Sequence, residues 1–400
     1  MDQAAWKTTL GASRDCVGCG ACMQVCPVYR AGRREELSAR GKLRLIQALA
    51  QGPLPPSRRL GEILSRCLLC GRCSQNCPNQ VPAMEGLRAG REVLASVAGV
   101  PLLLRLLVDQ ALPHPERLEM LAMAGGLALP LLSGLRLRLG GLEPGSCLPP
   151  LSQRPFLDTA PRLLPGPAGS PRLGLFVGCV ANYLRPQLAR QAASLLSRVA
   201  TVVVPPQGCC GLAAVGAGLA ASAREMLAST VAAFTRAGVD KIVTVCGSCA
   251  YALAQELPRL LDTPQARALA GSVLEISQVL VEHPRLLAGL GRAGEPVAVH
   301  DPCHLKLGLK VHEEPRQMLR RAGMELVEME QADACCGGGG LFAVNHPDLS
   351  RGILEPRTQA FMHSGARLLA TSCSGCHLQW QSGLPAAYPV RHPIELLNRP

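Results

Sequence analysis

The sequence predicts an α+β chain, a short α-helical module at the N-terminus followed by two pseudo-symmetric α/β domains. Three observations carry this. Two cysteine-dense motifs, CVGCGACMQVCP (16–27) and CLLCGRCSQNCP (67–78), begin 51 residues apart and flank the helix-like stretch SARGKLRLIQALAQG. A longer unit built on a cysteine pair then occurs twice in the C-terminal half, at an offset of 124 residues, which is domain-sized rather than solenoid-sized. Within each long unit, short β-branched runs alternate with amphipathic stretches, the pattern of an open, mostly parallel sheet.

The totals narrow the classes. At 400 residues, 48% of them hydrophobic, the chain can bury several cores. Nineteen cysteines in tight clusters read as ligands, not as small core residues. The N-terminal MDQAAWKTTLGASRDC lacks an apolar core of signal-peptide length, so a reducing cytoplasm is expected and a secreted disulfide scaffold is set aside. The formal charge of +12 does not point to nucleic acid, because aromatics are 3% and no basic block runs long enough. Thiolate-bound clusters would also subtract from that charge. The moderately basic surface that remains suits an acidic protein partner or an anionic membrane face.

Residues 1–91 form the first expected module. The run C-x2-C-x2-C-x3-C-P, present twice, is the bacterial ferredoxin pattern, in which three close thiolates grip one [4Fe-4S] cube and the fourth crosses to the other. Crossing the ligands assigns Cys16, Cys19, Cys22 and Cys77 to one cube and Cys67, Cys70, Cys73 and Cys26 to the second. Pro27 and Pro78 lock the chain as it leaves each site. Zinc takes four ligands and leaves the regular third cysteine and the C-P ending without a purpose. The long spacer between the motifs resembles α-helical ferredoxin modules such as those of succinate dehydrogenase iron–sulfur subunits.

Residues 92–171 read as a helical connector and linker. The leucine-rich run to about 142 is interrupted by charges, and its longest charge-free part, Leu121 to Leu135, is too short to span a bilayer. It reads as helices packed on the protein; a surface touching lipid, with Arg105, Arg117, Arg136 and Arg138 at the headgroups, is the alternative. The proline- and glycine-rich 143–171 reads as the linker, and its Cys147 fits no motif.

The long units fill 172–291 and 292–400. In the first, Cys179, Cys209, Cys210, Cys246 and Cys249 recur at or after strand-like runs (RLGLFVGC, ATVVVPP, DKIVTVC); in the second, Cys303, Cys335, Cys336, Cys373 and Cys376 do so (EPVAVHDPC, MELVEME, ARLLATSC). Ligands of open α/β sheets gather at such strand ends. A disulfide between neighbours is strained, since adjacent Cα atoms lie closer than relaxed disulfides want. Structural zinc strands a fifth thiol. Five thiolates instead suit an iron–sulfur centre larger or less regular than a cube, with the glycines after each pair baring backbone N–H groups toward cluster sulfur. His300 and His304 flank Cys303 beside Asp301; a strand-end cap is the leading reading and contact with the cluster the other. GLAAVGAG reads as helix and glycine packing, and no P-loop or dinucleotide fingerprint appears, so no flavin site is expected.

The doubled C…CCG…C-x2-C pattern resembles the CCG domains of heterodisulfide reductases and of the iron–sulfur subunits of glycolate oxidase, lactate oxidation complexes and anaerobic glycerol-3-phosphate dehydrogenase. The order of parts, with NHPDLSR (345–351) and RHPIELL (391–397), is similar to the glycolate oxidase iron–sulfur subunit family. The resemblance implies an α-helical ferredoxin-like module and two α/β CCG domains. It implies one or two noncubane iron–sulfur clusters at the ten CCG cysteines, with zinc open at one. It further implies FAD-binding oxidase subunits as partners, glycolate or a D-lactate-like 2-hydroxy acid as their substrate, a quinone or other acceptor, and no catalytic residue on this chain. Heterodisulfide reductase-like reduction of a disulfide at a noncubane cluster is the second implication. Both CCG copies are complete here, whereas glycolate subunits often lack some of these cysteines.

Overall fold

The computed structural model describes residues 3–114, 117, 152, 154–291 and 294–397. At the N-terminus the helices α1 (Gln3–Arg14), α2 (Ala21–Val25), α3 (Pro27–Gly32), α4 (Ala39–Gln51), α5 (Arg58–Ser65), α6 (Arg72–Gln75) and α7 (Ala83–Ala98) follow one another. The local chemistry explains the boundaries of α4: Ser38 Oγ accepts from the Gly41 N–H at 3.0 Å, and Gly52 ends the helix in a left-handed turn. Helices α1, α4, α5 and α7 close over Leu43, Ile46, Leu60, Leu64 and Leu87. Gly86 permits the α1–α7 crossing, because a Cβ there would lie 2.4 Å from that of Ala12.

Helix α7 runs without a break across 91/92, where the sequence suggested that the first module ends. A short helix α8 (Leu102–Leu106) and a π-turn (Leu107–Ala111) follow, exposing Leu102 and Leu106. Arg105 pairs with Asp109 at 3.2 Å, and Arg117 donates to Gln110. Most of the leucine-rich run, with Arg136, Arg138 and Cys147, lies outside the described residues.

Two sheets carry the C-terminal half. The first comprises β1 (Leu163–Leu164), β2 (Arg172–Phe176), β3 (Thr201–Val203), β4 (Lys241–Thr244) and β5 (Val273–Glu275), in the order β1-β3-β2-β4-β5. The second comprises β6 (Val297–His300), β7 (Leu326–Val327), β8 (Leu368–Thr371) and β9 (Val390–Arg391), in the order β7-β6-β8-β9. All pairs are parallel except β1 with β3. The end of the expected linker is therefore part of the first sheet: β1 pairs at its edge, and Phe156 is buried in its core. Proline and glycine at 165–171 mark the turn between β1 and β2, not a free tether. The duplication is visible as equivalent strands β3/β7, β2/β6, β4/β8 and β5/β9. One core spans both copies, with Met318, Ile394 and Leu397 packing among residues of the first sheet.

Candidate metal centres

The two ferredoxin-type motifs build the same backbone with different residues. Gly20 and Gly71, each following the second cysteine of its motif, take left-handed angles and open α2 and α6. One step earlier, Gly18 (φ 72°) is matched by Leu69 (φ 51°), a conformation that costs a non-glycine residue about 1–2 kcal/mol. The chain bends at Leu69 against its own preference, which marks a loop shaped by what its thiols must surround. Cys26 and Cys67 accept the N–H groups of Tyr29 and Leu69 at 3.5 Å each.

The thiols fall into an order. Cys22 is raised by burial and then by Cys16 and Cys19; Cys26 by burial and then by Cys67; Cys73 by burial and then by Cys67, Cys26 and Cys22. Cys77 lies in the same core, and the Asn76 side chain, donating to Ala21 O at 3.0 Å, brings it beside the helix of Cys22. Cys70, strongly raised by burial, has Cys335 as its largest charged neighbour. The second motif thus abuts the second long repeat.

There the strand ends deliver the remaining cysteines. Cys179 begins a helix after β2, while Cys246 and Cys373 are the N-caps of the helices after β4 and β8. Gly211 and Gly337, which follow the two cysteine pairs, have φ of 77° and 87°, and the Gly337 N–H reaches Cys335 Sγ at 3.5 Å. The sulfurs of Cys179 and Cys209 are 4.0 Å apart. Hydrogen bonds from Cys209 and Cys249 lower Cys210 to about 6, and those from Cys249 and Cys373 lower Cys246 further. Cys373 bonds in turn to Cys376, and Cys376 to Cys336. In the same copy Cys303, raised by its bond to Cys335, lowers Cys335. The two copies therefore meet sulfur to sulfur at Cys246 and Cys373, and the thiols of the second copy lie between those of the ferredoxin-type module and those of the first copy.

This arrangement fits iron–sulfur clusters. Every donor is a soft thiol, and these crowded thiols, some pushed toward the neutral form by burial and others toward the thiolate by their neighbours' hydrogen bonds, become ligands when a cation takes the charge. Close backbone approach is part of the site: a Cβ on Gly178 would lie 2.8 Å from Cys249 Sγ. His300 ends β6, with Nδ1 3.0 Å from Thr371 Oγ1, and also offers a nitrogen to the Cys336 and Cys376 sulfurs, the three ligand atoms lying within 4.8 Å of one another. His304 turns elsewhere, stacking on Tyr251 at 4.7 Å and sharing a hydrogen with Ser248 Oγ, which sits 3.2 Å from Cys373 Sγ. Asp301 is taken by Arg316 and Lys306.

Three features escaped the sequence reading. Glu275 and His392, both fully buried N-caps after β5 and β9, face one another at 3.8 Å across the two copies. Aligning VLEISQVL with VRHPIELL would have shown them to be equivalent. Lys42 is wholly buried on the apolar stripe of α4, three residues after Ala39 and four before Ile46. A cleft of about 1250 Å³ also runs between the modules, lined in part by Arg66, Arg91, Tyr251, His304, Phe342 and His346.

Two ferredoxin-type thiol sets and two five-thiol sets joined in one succession define an iron–sulfur electron-transfer protein. Residues 12–81 match the 4Fe-4S dicluster domain family, and residues 173–254 and 297–381 each match the cysteine-rich (CCG) domain family. The chain is 29% identical over 402 residues to the probable glycolate oxidase iron-sulfur subunit of Bacillus subtilis, with 94% of this chain and 89% of the relative covered. It is 28% identical to the glycolate oxidase iron-sulfur subunit of Escherichia coli, with 96% and 93% covered. It is also 25% identical to one of the subunits of the dihydromethanophenazine:CoB–CoM heterodisulfide reductase of Methanosarcina acetivorans, with 92% and 88% covered. The chain thus carries one 4Fe-4S dicluster domain followed by two cysteine-rich (CCG) domains, and over nearly its whole length it is similar to glycolate oxidase iron–sulfur subunits. It is an oxidoreductase subunit that carries electrons on iron–sulfur clusters. Among the described residues, no helix is long and apolar enough to cross a membrane.

Proposed function

We propose that this chain passes electrons from a partner flavoprotein, which oxidises glycolate or a related 2-hydroxy acid, to a quinone or another acceptor. The observation that carries the reading is the unbroken succession of thiols from Cys16 to Cys179. Cys16, Cys19, Cys22 and Cys77 hold one [4Fe-4S] cube, and Cys67, Cys70, Cys73 and Cys26 the other. The second cysteine-rich copy (Cys303, Cys335, Cys336, Cys373, Cys376) and then the first (Cys179, Cys209, Cys210, Cys246, Cys249) hold noncubane clusters, with zinc the alternative at one of them. Such clusters supply one-electron acceptance and donation, which turns a flavin's two-electron chemistry into single steps. The protein's part is to hold the thiols close to one another and to limit their contact with water; seven of the ten CCG cysteines are buried, and Cys179, Cys303 and Cys376 are partly so. The names of the relatives support the substrate class. Exposed Leu102 and Leu106 beside Arg105 support a peripheral contact with an anionic membrane face from the cytoplasmic side.

A second reading, reduction of a disulfide at a noncubane cluster, is favoured by the cleft that reaches Tyr251 and His304, one serine away from Cys373. One experiment separates the two. The chain is purified anaerobically with its co-purifying flavoprotein, its iron and zinc are counted, and EPR signals are followed after adding glycolate, D-lactate or a disulfide. Iron well above the eight atoms of two cubes, with signals reduced by a hydroxy acid, is expected. Signals indifferent to hydroxy acids but altered by a disulfide establish the second reading, and iron limited to two cubes with bound zinc sinks both noncubane assignments.

A further inference from the structure

Lys42 is 0% exposed, and among the described residues the one acceptor its ammonium reaches is the backbone carbonyl of Leu37. Arg91, also buried, donates to the carbonyls of Leu64, Ser65, Cys67 and Gly216 and to no carboxylate. Among the described residues neither has an acidic partner. The charged groups that bear on Lys42 are Cys67, Cys26 and Cys73, which favour its charge, and Arg91, which opposes it. For Arg91 the favouring group is Cys67. A buried cation without a counter-ion is costly. Both bear on Cys67, Lys42 also on Cys26 and Cys73, and Arg91 donates to the Cys67 carbonyl; both would be neutralised by a cluster's net negative charge on those thiols.

The first motif is treated differently. Its nearby cation, Arg40, donates to the Gly18 carbonyl at 3.0 Å but already holds Glu35 in a salt bridge near the surface. Cys19 there is exposed. One thiol set therefore faces a cation with its own carboxylate and water, and the other faces two dry cations with neither.

We infer that Lys42, with Arg91 beside it, is a positioning charge that raises the reduction potential of the centre held by Cys26, Cys67, Cys70 and Cys73 above that of its neighbour. Four thiolates on a core of about +2 leave a net charge near −2, and one added electron makes it near −3. The fixed cations favour the more negative state, in a low-dielectric setting that screens them little. An electron that reaches the module then settles on the centre that touches Cys335, next to the second cysteine-rich copy. The inference rests on the ligand sets proposed above.

The test is an EPR-monitored redox titration of the anaerobic, cluster-loaded chain with dithionite as the reductant. Lys42→Met is expected to move one of the two cubane waves to lower potential by at least tenfold in its reduction equilibrium, about 59 mV for one electron, with the other wave unmoved. Lys42→Arg keeps the charge and the wild-type potential. Arg91→Met gives a second variant with the same direction. Waves that stay in place, that move together, or that move equally in Lys42→Arg overturn the inference. Loss of that centre's iron in both methionine variants overturns it as well, because the cations then hold the site and do not tune it. A wild-type chain that shows no pair of cubane waves refutes the ligand sets themselves, a different failure.

Discussion

Glu256 is one of the residues through which the N-terminal module is bound to the first cysteine-rich copy, and replacing it with glutamine is a sharp test of that junction. Its carboxylate is nearly inaccessible. One oxygen accepts from Arg88 of α7 at 2.5 Å, the other from Arg259 at 2.7 Å, and Arg259 also holds Glu92 of α7 at 2.8 Å. At an effective dielectric of 20, a pair at that first distance attracts by about 7 kcal/mol, much of which offsets the desolvation of both ions. Glu256→Gln keeps the shape and removes the charge, leaving the Arg88 guanidinium buried without an anion. The expected cost is about 3–5 kcal/mol, whereas the double variant Arg88→Met/Glu256→Met should recover all but about 1 kcal/mol, because Arg259 keeps Glu92. Chemical denaturation under anaerobic conditions, following cluster absorbance and far-UV circular dichroism together, reads both numbers. If the double variant is as unstable as Glu256→Gln, the cost comes from packing, and the electrostatic account of the junction is wrong.

Three further outcomes follow from particular residues. Gly178→Ala puts an alanine at φ 74°, ψ 165°, a region essentially reserved for glycine, at about 1–3 kcal/mol, and drives a Cβ toward Cys249 Sγ; iron should fall while the cubane signals persist, and an unchanged iron count refutes the cradle. Burial raises Glu275 to about 7. A carboxyl raised on folding contributes stability that is present below its unfolded value of about 4.3 and is lost as pH rises through the folded one. The advantage of the wild type over Glu275→Gln should therefore shrink by about 3 kcal/mol between pH 4 and pH 7, and a pH-independent difference rules this out. His392, held down to about 3 by burial, acts with the opposite sign, which is why the comparison must be with the variant. Leu102→Glu/Leu106→Glu should lower co-flotation with anionic vesicles at least tenfold, as expected for two exposed leucines replaced by charge; equal flotation of both proteins shows that α8 does not touch lipid.

How much of this was legible in the sequence depends on the range of the interaction. The six strand-like runs and the helix between the ferredoxin-type motifs are local patterns, and each became the element expected. β5 and β9, of three and two residues, carry too little periodicity to be seen, although they bring Glu275 and His392 together. β1 was hidden by the prolines and glycines around it, because turn residues look alike whether they tether domains or pin an edge strand.

The succession of the centres is the part no spacing rule could supply. Chain order puts the first cysteine-rich copy next to the ferredoxin-type module, yet Cys70 faces Cys335 of the second. The reason lies in the pairing of the copies. Their C-x2-C helices begin at Cys246 and Cys373, and these meet because the Gly247 N–H is bonded to Ser372 O at 2.7 Å and a Gly247 side chain would collide with Leu305. Away from those two caps, Cys335 of the second copy lies against Cys70 of the module, while Cys209 and Cys210 pair with Cys179 and Cys249 within the first copy. Helix α3, packed on the long helix Pro347–His363, selects the second copy for the inner place. A side chain at Gly247 would push the caps apart, so the glycine that joins the copies is also part of the geometry that leaves Cys335, and not Cys210, beside Cys70.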